Sequence, residues 1–137
     1  MPEDNKESMP DQYKTVSLEE FVEYSKSMFA YWTEDDFASS FRKMLTIEQF
    51  RSEEMQGLYQ QYLSSGPAAY VKDLFESMGI AHAEENAVRF YAMMYFYYSV
   101  YDGADDKEKV KNEFASAIGS MAQEWIKQPK LTQIRKS

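Results

Sequence analysis

Apolar positions recur at intervals of three and four along this chain, runs of β-branched residues are missing, and the pattern therefore predicts helices throughout. The first starts at Ser17, where S-L-E-E reads as a capping box between Ser17 and Glu20. Leu18, Phe21, Val22, Met28, Phe29 and Trp32 fall on its buried stripe. Thr33 and Asp36 read as the cap of a second helix that turns Phe37, Phe41, Met44 and Leu45 inward. Ser52 caps a third, with Met55, Leu58, Tyr59, Tyr62 and Leu63 inside. The SSGP run at 64–67 breaks the pattern, and a fourth helix begins at Pro67, carries Val71, Leu74, Phe75 and Met78, and ends at Gly79. A fifth spans 83–101 and closes at Asp102-Gly103. Asp105 and Glu108 then cap a sixth, which sets Val110, Phe114, Ala117, Ile118, Met121 and Trp125 on one stripe. The expectation is an all-α bundle of about six helices over 17–128, with a lead-in at 1–16 and a tail at 129–137.

The fifth helix poses the main question. Its segment FYAMMYFYYSVY, residues 90–101, is apolar or aromatic in nearly every direction around a helix. A helix that is hydrophobic all round must be covered all round. Each aromatic side chain buried contributes about 1.5–3 kcal/mol, so leaving several exposed is an aggregation liability.

Composition narrows the chemistry. With 137 residues the chain reads as one domain, long enough for a core without staples. It has no cysteine, which excludes disulfides and thiolate metal sites, and a single histidine, His82. One histidine also excludes the paired Glu-x-x-His motifs of a di-iron bundle, and no serine elbow accompanies it, so an enzyme is not expected. His82 beside Glu84 and Glu85 reads as a helix-start feature, where acids suit the helix dipole, and not as a metal site. No cofactor is expected. The net charge of −8 repels phosphate backbones, and no basic stripe offsets it, so direct nucleic-acid binding is not expected. The acidic opening MPEDNKESMP does not resemble a signal peptide, and 90–101 is too short to cross a bilayer. These features predict a cytoplasmic protein.

The stretch FASSFRKMLTIEQFRSEEMQGLYQQYLSSGPAAYVKDLFESMG, then FYAMMYFYYSVYDG and a final amphipathic helix, resembles the C-terminal domain of TetR-type transcriptional regulators. The resemblance rests on order: a helix ending in LTIEQF, a helix like MQGLYQQYL, a GP kink, an apolar helix closing at YDG, and one helix more. It implies an effector-sensing and dimerisation domain whose last two helices pair with those of a second copy in a four-helix bundle. It also implies a small apolar or aromatic effector held among the helices. The chain departs from the family plan at its start, where residues 1–16 are too few and too acidic for a helix-turn-helix head. The chain is then either a sensing half alone or a part of a longer regulator.

Two sets of residues follow. A dimer stripe of Phe114, Ile118, Met121 and Trp125 would meet Phe96 and Val100, although the same stripe could pack within one subunit. Eleven tyrosines are many for a pure core, since each buried hydroxyl needs a partner. Tyr24, Tyr62, Tyr91, Tyr95 and Tyr98 could aim hydroxyls into one cavity beside Met28, Phe41 and Met94, the methionines adapting to varied ligands. Plain core packing and surface hydroxyls explain the same residues equally simply. The rival reading is a helical protein–protein interaction module, or a mixed-dimer partner of an intact regulator, with no small-molecule ligand.

Overall fold

In the computed structural model, residues 17–127 are described and form six α-helices without a strand among them. These are α1 (Leu18–Glu34), α2 (Asp36–Glu48), α3 (Glu53–Leu63), α4 (Ser65–Ser77), α5 (Ala83–Gly103) and α6 (Lys107–Lys127). The lead-in at 1–16 and the tail at 129–137 lie outside the described residues. Among the described residues no helix is long and apolar enough to cross a membrane.

Local chemistry sets most of the helix ends. Ser17 and Glu20 form the reciprocal capping box, with bonds of 2.9 and 3.0 Å. Ser52 Oγ accepts from the Met55 amide to start α3. Two caps fall one or two residues from their expected places. Asp35, not Thr33, caps α2 by accepting from the Ala38 amide at 2.8 Å, while the Thr33 hydroxyl bonds back to the Phe29 carbonyl. Asp106, not Asp105, accepts from the Lys109 amide at the start of α6. Gly79 ends α4 at φ 78°, with the Ile80 amide reaching back to the Phe75 carbonyl. At the α3–α4 junction a Cβ on Gly66 would lie 2.4 Å from the Gln61 carbonyl oxygen, so only glycine fits.

The main core lies where α1, α4, α5 and α6 meet. Phe21, Phe75, Phe90 and Trp125 pack there with ring centroids 4.6–6.4 Å apart. Phe114 and Ile118 are fully buried beside them. A smaller cluster of Leu45, Tyr59 and Leu63 ties α2 and α3 to Trp32 and Tyr95. Helix α5 is central: the chain itself covers Ala87, Phe90, Met94, Tyr98 and Tyr101. Three neighbouring helices, α1, α4 and α6, supply most of the cover that its all-round apolar surface demands. What they leave exposed is a narrow row holding Val88, Ala92 and Phe96.

Helix α2 is rotated from its expected register. Phe37 is 75 % exposed and Met44 40 % exposed, whereas Ala38, Ser39, Arg42 and Leu45 face inward. The cause is Arg42. Its guanidinium forms a two-pronged pair with Asp102 at the end of α5, at 2.8 and 2.9 Å, and its Nε donates to the Trp32 carbonyl at 2.9 Å. Satisfying that buried charge turns the aromatic face of α2 outward.

Candidate functional site

Three helices converge on a cavity of about 70 Å³. Helix α1 contributes Tyr24, Ser25, Met28 and Trp32, and α5 contributes Phe90, Tyr91, Met94 and Tyr98, so each presents positions i, i+1, i+4 and i+8. That spacing is one face of a helix, which is why two regular helices crossing at this point can enclose a space. Pro67, Tyr70 and Val71 of α4 complete the wall. Tyr24 and Tyr70 are the most exposed of the aromatic lining residues and mark the opening.

The wall is apolar with few polar atoms, and their bonding is partly settled. Ser25 Oγ, fully buried, donates to the Phe21 carbonyl at 2.8 Å. Tyr91 donates its hydroxyl proton to the Leu63 carbonyl. Burial pushes the Tyr91 phenol far above its ordinary range. Tyr98 is pushed up as well, first by burial and then by the nearby Tyr91, with the Arg42 charge opposing. Burial followed by the neighbouring Tyr70 raises Tyr24. These phenols stay protonated near neutral pH and act as hydrogen-bonding groups, not as bases.

Behind Tyr98 lies a second, more polar cleft of about 210 Å³, lined by Arg42, Thr46, Leu63, Tyr95, Ser99 and Asp102. Tyr98 is the partition between the two spaces. The Arg42 guanidinium sits 4.8 Å from the centroid of its ring. On the same ring Phe29 stacks at 5.6 Å and 13°, and Phe29 in turn stacks on Phe114 at 4.3 Å and 11°. A column of Arg42, Tyr98, Phe29 and Phe114 thus crosses α2, α5, α1 and α6.

Of the eight residues expected around a ligand, Tyr24, Met28, Tyr91, Met94 and Tyr98 line the apolar cavity. Tyr95 lies on the polar cleft, where burial raises its phenol and Thr46 and Arg42 lower it. Phe41 and Tyr62 do not reach either space. They meet edge to face at 5.4 Å beside the smaller cluster, because the rotation of α2 carries Phe41 away from α5. The dimer stripe also needs correction. Phe114, Ile118 and Trp125 are 1 %, 0 % and 5 % exposed, packed within their own subunit against Phe29, Phe21 and Phe75, so they offer no surface to a second copy. Phe96 is 60 % exposed, and Val100 and Met121 are half-buried at the edge of the core. His82 occupies the residue before α5 at φ 54°, and its side chain makes no cap bond. The nearby Asn86 instead donates its side-chain amide to the Ala81 carbonyl. Among the described residues no three His, Cys, Asp or Glu side chains gather as a metal site.

Arg42 is the functional-looking residue that sequence reasoning missed. Its only signal was an arginine at the spacing of Ala38 and Leu45, next to Lys43, and its partner lies 60 residues away. Comparison of the chain with protein-family models, with curated proteins and with solved structures finds no match.

Proposed function

We propose that this chain is a TetR-like effector-sensing and dimerisation domain whose ligand is small and largely apolar or aromatic. The observation that carries the reading is the convergence of Tyr24, Met28, Tyr91, Met94 and Tyr98 on one apolar cavity between α1, α4 and α5. Its volume of about 70 Å³ limits the occupant. An apolar cavity of about 150 Å³ takes benzene. The ligand is therefore a compact group that enters from the opening at Tyr24 and Tyr70, with any larger body outside. An occupant would press on Tyr98, and the column through Phe29 to Phe114 supplies a mechanical route from the cavity to α6. The dimer surface in this proposal is the outer side of α5 and α6, with Phe96, Val100 and Met121 replacing the buried stripe.

A second reading has its own observation. Phe37, Ile47 and Phe50 are 75 %, 68 % and 83 % exposed, and Phe37 stacks on Phe41 at 5.9 Å. Exposed apolar side chains on α2 and in the turn just after it suit a protein–protein interaction module. Native mass spectrometry of the purified chain separates the two. The sensor predicts a homodimer carrying a small co-purified adduct or gaining one from an aromatic library. A monomer that takes up no small molecule overturns it in favour of the interaction module.

A further inference from the structure

Ser25 and Tyr91, two hydroxyl-bearing residues on the cavity wall, share one property. Ser25 spends its only proton on the Phe21 carbonyl and Tyr91 spends its own on the Leu63 carbonyl. Each oxygen can then offer only lone pairs to an occupant. The aromatic walls add electron-rich faces, and among the lining residues there is no lysine, arginine or histidine. The one side-chain N–H on the wall, the indole of Trp32, is neutral. Arg42, behind Tyr98, has its charge paired with Asp102 and places three of its five N–H groups on Asp102 and the Trp32 carbonyl. The chain as a whole carries −8, which concentrates cations at its surface and repels anions.

From these observations we propose that the cavity selects a small organic cation, a protonated amine on a compact apolar body, over a neutral or anionic ligand of the same shape. This rests on the effector-site reading above and names its ligand class. The ammonium donates to the acceptor-only oxygens of Ser25 and Tyr91 while its charge lies against the aromatic rings. A carboxylate in the same place meets the lone pairs of Ser25 and Tyr91, and the other donors on the wall, tyrosine hydroxyls and the Trp32 indole, are neutral and leave its charge unbalanced. The apolar body remains toward Tyr24 and Tyr70 at the opening.

Three probes that differ mainly in charge test the idea on the full chain at pH 7: benzylammonium, ethylbenzene and benzoate. The readout is the NMR shift of the Met28 and Met94 methyl groups, labelled with carbon-13, which localises binding to this cavity. The expected result is saturable shifts for benzylammonium with affinity at least tenfold above ethylbenzene, and none for benzoate. Tyr24→Leu removes one ring at the opening of the cavity and is expected to weaken benzylammonium more than ethylbenzene. Ethylbenzene or benzoate binding as tightly as benzylammonium overturns the cation preference and leaves the effector site standing. If none of the three shifts either methyl, both the cation inference and the effector-site reading fall.

Discussion

Replacing Asp102 with alanine leaves the Arg42 guanidinium without its carboxylate in a place where its side chain is only 6 % exposed. Breaking a buried pair by removing one partner costs about 3–5 kcal/mol, because the remaining charge is left desolvated. Asp102 itself is 26 % exposed, so water replaces part of the lost interaction and the expected cost falls to about 2–3 kcal/mol. Arg42 also keeps its bond to the Trp32 carbonyl and its place on the Tyr98 ring, which holds the figure below the upper limit. For a chain of 137 residues each kcal/mol lowers Tm by about 3–5 °C, so a fall of roughly 6–15 °C is expected. Thermal unfolding followed by far-ultraviolet circular dichroism measures the fall in Tm, and urea unfolding the free-energy cost. The decisive comparison is the double variant Arg42→Met, Asp102→Ala. An apolar side chain of similar length suits the site, so the double variant should be more stable than Asp102→Ala alone. A single variant within 0.5 kcal/mol of the parent, or a double variant less stable than either single one, would refute the account of α2 as a helix turned by its arginine.

Three further outcomes follow from the same geometry. Gly66→Ala should destabilise by more than about 1 kcal/mol, since its Cβ would collide with the Gln61 carbonyl, whereas Gly57→Ala should stabilise by about 0.5–1 kcal/mol because that helical glycine meets nothing within 4 Å; thermal melts of both decide. Phe114→Ala should cost about 3–5 kcal/mol while leaving the association constant of the folded chain unchanged, and Phe96→Glu should do the reverse, as sedimentation velocity beside unfolding curves will show. The Tyr91 and Tyr98 phenols have folded pKa values raised above the ordinary 10.0, so the unfolded chain releases these protons first. Their contribution to stability is complete below pH 10 and declines as pH climbs beyond it; in a spectrophotometric titration they should ionise only as the chain unfolds, and two extra phenols ionising in the folded state near pH 10 would contradict their burial.

Helix positions were largely legible because their causes are local. Ser17 with Glu20, Ser52, and Gly79 each act on backbone groups within a few residues, and periodicity marked Phe21, Leu63, Leu74 and Phe75 as buried. Tyr24, Met28, Tyr91, Met94 and Tyr98 stood out as tyrosines beyond what a core needs and as adaptable methionines, and the regular helices bring them to one cavity wall. The cap of α2 moved because the Thr33 hydroxyl bonds back to the Phe29 carbonyl and Asp35 takes the Ala38 amide, and at α6 the neighbouring Asp105 and Asp106 compete for first-turn amides until the final backbone geometry selects Asp106.

What the sequence determined alone was therefore the all-helical class, the helix boundaries to within a residue or two, and a chain without thiolate chemistry. The facing of each helix was decided in three dimensions. Amphipathic spacing says that a stripe is apolar but not whether its cover comes from the same subunit, and α6 shows this: Phe114, Ile118 and Trp125 are claimed by α1 and α4 before any second copy could reach them. In α2 the pattern pointed the wrong way, because one buried ion pair over 60 residues outweighed the burial of Phe37 and Met44. The physical reason is range. Hydrogen bonds to the nearby backbone are written into adjacent residues, whereas a desolvated charge finds its partner only after the chain has packed.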